Sequence, residues 1–322
     1  MNFIDMHCDT VYALINKKPC SNKNITISRD ETLYKNSLSV DIKKLKACNS
    51  LAQFFALFID ITETNSPLKT ALNMLDFFHN ELEKYAKYIA LAKNYEDINR
   101  NLLSSKISAF LTIEEGAALE GSLYNLRNFY RLGVRLITLT WNFPNEIGFP
   151  NCNKEFMSNG LTPFGLEVIE EMNNLKMIID VSHLSDGGFY DVVKHSKSPF
   201  VASHSDARAI TAHPRNLTDH MIKLLSNNGG VMGINFEKAF LGKNEEGKIS
   251  EMIAHIKHIK NVGGIDVLCI GSDFDGIETP SEIKSSDEIY KLINALKKEG
   301  FHENEIEQIL YKNALRIIKE TL

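Results

Sequence analysis

Phe3-Ile4-Asp5-Met6-His7-Cys8-Asp9-Thr10 is a short apolar run that ends in a His-x-Asp pair. In a strand, side chains alternate between two faces, so His7 and Asp9 would share a side and offer an imidazole and a carboxylate to one metal ion. Seven further apolar, β-rich runs lie at about 51–60, 108–114, 134–141, 177–183, 200–204, 229–236 and 266–273. Helix-like sequence follows each of them. Ser66-Pro67, Thr162-Pro163 and Thr218-Asp219 are helix starts, because a hydroxyl can cap free N–H groups and proline presets the first helical φ. They predict helices running to about 89, 176 and 228. Similar patterns cover about 121–132, 186–196, 249–261, 286–298 and 303–320.

This eightfold alternation, with no Pro/Gly/Ser-rich linker, predicts an α/β fold: one (β/α)8 barrel spanning residues 1–322 as a single domain. The polar segments at about 11–40 and 142–161 would be long loops on the face where such barrels carry their sites. Asp9, Glu114, Trp141, His183, His204 and Asp273 each end an apolar run, as side chains converging on that rim would.

Composition excludes several classes. A 43% hydrophobic and 24% charged chain can bury a large core, which argues against disorder. The net charge is −5, with basic and acidic residues interspersed, so nucleic acid is not the expected partner. Five cysteines, without a C-x-x-C pair, suit a reducing compartment. No run is long enough to cross a membrane and no leader-like segment precedes His7, so a cytoplasmic protein is expected.

His7, Asp9, His183 and His204 are read as metal ligands, the two Ser-His pairs ending neighbouring predicted strands. Either Glu114 or Glu115 would bridge two cations, since a shared carboxylate offsets their repulsion. Asp180 would support His183 from below. Asp273 is placed where it can exchange a proton with an activated water, whereas Asp275-Gly276 reads as a turn. Arg208 and Arg215 are each either a clamp for a substrate carboxylate or a surface ion-pair partner. His255 and His258, three apart on an outer helix, read as packing or solvated residues.

With these motifs in place, the chain resembles the membrane dipeptidase (renal dipeptidase) family of zinc-dependent enzymes, in its soluble bacterial branch. The resemblance runs from His7-x-Asp9 through Val40-Asp41 to Ala56, and Gly160-Leu161-Thr162 to His183. It continues with Ser203-His204-Ser205-x-Ala207-Arg208, Arg215-Asn216, Gly229-Gly230-Val231 and Gly271 to Gly276. It implies a metal-dependent amidohydrolase-like barrel with two zinc ions on His7, Asp9, Glu114, His183 and His204. It also implies Arg215 on the dipeptide's carboxylate, Asp273 as the catalytic acid/base, a metal-bridged hydroxide as nucleophile, L-Xaa-D-Xaa dipeptides among the substrates, and a homodimer.

Two positions depart from the family's pattern. Its Glu-Gly-Gly is Glu114-Glu115-Gly116 here, and its Leu-Thr-His is Leu139-Thr140-Trp141. An indole donates one hydrogen bond but carries no charge, so stabilisation of an oxyanion would shift to the metals or to Asn142 or Asn145. Trp141 and Asn142 are therefore expected at the substrate. The alternatives are a binuclear enzyme acting on a lactone, N-acetyl or phosphoester substrate, or a barrel without catalysis.

Overall fold

In the computed structural model, which describes residues 1–19, 27–242, 246–277 and 281–322, each apolar run supplies a parallel strand. They are β1 (Phe3–Asp5), β2 (Ser50–Phe58), β3 (Ile89–Leu91), β4 (Ile107–Glu114), β5 (Val134–Thr138), β6 (Ile178–Asp180), β7 (Val201–Ala202), β8 (Val231–Ile234) and β9 (Leu268–Ile270). β1 pairs with both β2 and β9, and β2 pairs with β4, so eight strands close a ring in the order β1-β2-β4-β5-β6-β7-β8-β9. The expected (β/α)8 barrel is present.

β3 is the addition. It pairs with Ile107–Ala109 at the start of β4, while Leu111–Glu114 pair with β5, so it lies outside the closed ring. Three residues, two of them only half-buried, are too few to show a strand period in the sequence. The helix expected to reach 89 accordingly stops at Lys84. Thr162 and Thr218 cap their helices as expected, accepting from Gly165 N and Met221 N, but Ser66 makes no capping bond. Four helices among the described residues were not anticipated, the short Ile42–Ala47 and Lys238–Leu241 and two longer ones. Tyr95–Leu103 is capped by Asn94, and Thr10–Asn16 occupies the start of the segment expected to be irregular from 11 to 40. Residues 20–26 of that segment, Cys20 included, lie outside the described residues. Residues 142–161 carry only the 3-10 turn Lys154–Phe156.

Ile4, Phe54, Phe110, Leu136, Ile178, Val201, Val231 and Cys269, one from each ring strand, belong to one buried cluster. Side chains contributed by every strand of a closed ring can meet only in its interior, so this is the floor of the barrel. Two residues further along, the same faces turn polar: Thr112, Thr138, Asp180 and Ser203. The alternation then delivers Glu114, Asn235 and Asp273 to the rim. Gly271 belongs to this layer because a Cβ there would lie 1.7 Å from the Ser203 carbonyl oxygen.

Candidate active site

β1 ends at Asp5, so His7 and Asp9 lie beyond the strand, on an irregular segment pinned by a bridge from Cys8 to Phe274. Strand parity is therefore not what pairs them. Asp5 accepts from His7 N, Ser272 N, Ser272 Oγ and Gln53 Nε2, tying this segment to β9 and β2. His7 Nε2 ends 3.3 Å from Asp9 Oδ2 and 3.3 Å from Glu114 Oε2.

Glu114 stands between two groups. Its Oε1 lies 3.0 Å from His183 Nε2 and 3.5 Å from His204 Nε2, and these two nitrogens are 3.1 Å apart. Glu115, by contrast, turns its carboxylate away into the loop after β5, accepting from Ala117 N, Trp141 N and Asn145 Nδ2.

The hydrogen bonds fix which ring nitrogens are bare. His183 Nδ1 faces the acceptor Asn142 Oδ1 at 3.2 Å, so Nδ1 carries the proton and Nε2 a lone pair. Ser203 Oγ donates to Asp180 Oδ2 at 2.5 Å and accepts from His204 Nδ1 at 2.7 Å, which leaves His204 Nε2 bare in the same way. Asp180, expected beneath His183, thus supports His204 through Ser203 and also accepts from Thr138 Oγ1. Burial and the Arg215 charge pull His183 down to about 3, and burial and His7 hold His204 well below its usual range. Both rings are therefore neutral at physiological pH.

Two imidazole lone pairs and a carboxylate oxygen that converge at about 3 Å repel one another unless a cation sits among them. On the other side of Glu114, Asp9 Oδ1 is buried without a hydrogen-bond partner. Burial and Glu114 push the Asp9 carboxyl well above its usual range. Donor atoms of His7, Glu114 and His204 lie within 4.8 Å of one another, as do those of His7, Asp9 and Asp273. The donor set is all nitrogen and oxygen, suited to zinc and similar ions.

Asp273 sits at the rim with φ 60, outside the region ordinary residues favour, as does His183 with φ 68. Its Oδ1 is 3.9 Å from His7 Nε2, and its Oδ2 accepts from Asn235 Nδ2 at 2.9 Å. Burial, opposed by His7 and reinforced by Glu114, raises it to about 6. Asn235, the penultimate residue of the run 229–236, was not singled out from sequence. Asp275 is buried rather than a bare turn residue. It accepts from Thr10 Oγ1 at 2.6 Å and Ser39 N at 2.7 Å, joining two rim loops.

Above this cluster opens a cavity of about 440 Å3, lined by Phe58, Trp141, Asn142, Arg215, Phe240 and Asp273 among others. The two arginines part company here. Arg208 forms a two-pronged ion pair with Asp186, whereas Arg215 is buried, its guanidinium over Phe240, with Nε unpaired. Trp141 packs edge-on against Phe58, and Asn142 lines the cavity while holding His183. Asn145 is bound to Glu115 and Leu139 O, and so is not placed for an oxyanion. His255 is a packing residue, bonded to Ala207 N and Leu241 O.

The sequence model of the membrane dipeptidase family, peptidase family M19, matches residues 1–322. The chain is 35% identical over 240 residues to an uncharacterized protein from the pqqA 5′ region of Klebsiella pneumoniae, covering 72% of this chain and 88% of that one. It is 30% identical over 341 residues to an uncharacterized dipeptidase of Schizosaccharomyces pombe, covering 99% and 80%. Its fold matches a Rhodobacter sphaeroides metallopeptidase bound to a phosphinate mimic of L-Ala-D-Ala, with TM-score 0.86, 22% identity, and 100% and 99% coverage. Among the described residues no helix is long and apolar enough to cross a membrane.

Proposed function

Since the chain belongs to the membrane dipeptidase family and is therefore a metallo-dipeptidase, we propose that it uses two zinc ions to cleave dipeptides, L-Xaa-D-Xaa among them. His7, Asp9 and Glu114 would hold one ion, and Glu114, His183 and His204 the other. The observation that carries this reading is the meeting of bare His183 Nε2, bare His204 Nε2 and Glu114 Oε1 within 3.0–3.5 Å. Bound there, a cation pair supplies Lewis-acid polarisation of the scissile carbonyl and acidifies a water.

This chain's own residues do the rest. Asp273, steadied by Asn235, takes the proton of the attacking water and returns it to the leaving amine. Arg215 receives the free carboxylate of a short peptide, its desolvation making the paired contact stronger than in water. A 440 Å3 cavity closed by Phe58, Trp141 and Phe240 suits a dipeptide better than a longer chain. Asn142 orients His183, and Trp141 borders the substrate without supplying charge. The relative that carries a mimic of L-Ala-D-Ala supports a D-residue at the C-terminal position.

We further place the protein in the cytoplasm, as unpaired Cys8, Cys48, Cys152 and Cys269 suggest. A homodimer rests on the family resemblance alone. The test of function is amino acid release from a panel of L-L and L-D dipeptides by zinc-loaded, chelated and Asp273→Asn protein. Release requiring both zinc and Asp273 supports the reading. No release from zinc-replete protein redirects it to another amidohydrolase substrate.

A further inference from the structure

Glu115 and Trp141, on the loops that follow β4 and β5, touch each other. Glu115 Oε2 accepts from Trp141 N at 3.0 Å, and Oε1 from Ala117 N at 2.9 Å and from Asn145 Nδ2. Glu115 adopts φ 93, a region that favours glycine, so this backbone is held against a conformational cost. What holds it is its own buried carboxylate. Asn145 completes the brace, donating to Leu139 O and accepting from Ile147 N and Gly148 N. Gly116 lets the two segments close, since a Cβ there would lie 2.5 Å from Leu139 O.

The brace sets the position of one side chain at the cavity wall. The Trp141 ring meets Phe58 edge-on at 4.8 Å and stands 6.4 Å from the His183 ring. Around the barrel, Phe58 ends β2 and Trp141 follows β5, with β4 and Glu114 between them. Arg215 and Phe240 follow β7 and β8, on the opposite arc of the rim. A dipeptide whose carboxylate reaches Arg215 and whose amide lies over Glu114 must extend its N-terminal residue toward Phe58 and Trp141.

We propose that Phe58 and Trp141 form an aromatic subsite for an apolar side chain on the N-terminal residue of the substrate, and that Glu115 is a positioning residue for Trp141. The substrate class this names is dipeptides with a bulky apolar or aromatic first residue. It rests on the dipeptidase reading.

Trp141 is the single tryptophan of the chain, so its fluorescence reports on this wall alone. Zinc-loaded Asp273→Asn protein is titrated with L-Phe-L-Ala and L-Ala-L-Ala, and kcat/KM for both is measured on active protein. The expected emission change saturates at about tenfold or lower concentration with Phe-Ala, and the kcat/KM ratio favours Phe-Ala by about 10- to 100-fold. Trp141→Ala and Phe58→Ala should each compress that ratio to within about threefold. Glu115→Gln cannot satisfy all three donors, so it should shift the emission and lower the ratio, yet change nothing further in the Trp141→Ala background. Ala-Ala and Phe-Ala hydrolysed equally by wild type, or a ratio untouched by Trp141→Ala, overturns the subsite and leaves the dipeptidase reading standing. Additive effects of Glu115→Gln and Trp141→Ala on the ratio overturn the positioning role. Failure to hydrolyse any dipeptide removes the reading on which both rest.

Discussion

Asn235, just past the end of the neighbouring strand β8, donates from Nδ2 to Oδ2 of Asp273 at 2.9 Å, which fixes the carboxylate with its other oxygen, Oδ1, toward His7. Asn235 is itself fully engaged: Nδ2 also donates to His204 O, and Oδ1 accepts from Glu237 N at 2.7 Å. The orientation of the amide is thereby fixed, with its NH2 toward the carboxylate. A proton carrier works only if its carboxylate is aimed.

Asn235→Ala should therefore lower kcat by about 10- to 100-fold while KM moves by less than about threefold, since ground-state contacts with the peptide are untouched. Steady-state kinetics on one dipeptide decides it. A change confined to KM would show that Asn235 serves binding rather than the orientation of Asp273.

The chain of bonds from Asp180 through Ser203 to His204 Nδ1 makes a prediction about metal affinity. Without the serine hydroxyl, His204 loses the acceptor that keeps Nε2 bare, and Ser203→Ala should weaken one zinc site about 10- to 100-fold. Competition against a chelating indicator measures this directly. Unchanged affinity at both sites would mean that the tautomer of His204 is set elsewhere.

For Arg215 the substrate carries the control. Arg215→Met should raise KM for free dipeptides by about 10- to 100-fold, the loss of a charge-assisted contact. Dipeptide amides, which lack the carboxylate, should be poor substrates of wild type and no poorer for the variant. If the amide suffers equally, Arg215 is not the carboxylate clamp.

His255 links pH to stability away from the site. Burial, partly offset by its bond to Leu241 O, lowers it from 6.5 to about 4, so the folded state prefers the neutral ring. Between those values the unfolded chain binds more protons, hence stability is full above pH 6.5 and declines as pH falls toward 4. The loss approaches roughly 3 kcal/mol, and His255→Gln should flatten the slope in that window. Chemical denaturation at pH 7.5, 6, 5 and 4 reads it out, and parallel slopes for wild type and variant would refute the assignment.

Much of the barrel was legible because each ring strand lies in an apolar run, and Asp9, Glu114, Trp141, His183, His204 and Asp273 each close one. Periodicity reads such runs directly. It did not reach β3, whose three residues complete no pattern, nor Thr10–Asn16, whose Val11-Tyr12-Ala13-Leu14-Ile15 continues the first apolar run too briefly to show a helical period. The choice between Glu114 and Glu115 also lay beyond it, for adjacent residues point to opposite sides and only the placed strand says which faces inward. Asn235 lies one residue short of the end of its run, so the rule that points to Asp273 points there to Phe236 instead. The bond from Glu115 to Trp141 spans 26 positions and exists only once β4 and β5 lie side by side.

Whether two cations astride Glu114 cleave dipeptides is decided by titrating metal-free protein with zinc while following hydrolysis of L-Ala-D-Ala. Activity should level off at two zinc equivalents per chain and be lost in Glu114→Gln, which removes the carboxylate both ions would share. Full activity at one equivalent, or activity that survives Glu114→Gln, would contradict two-cation cleavage.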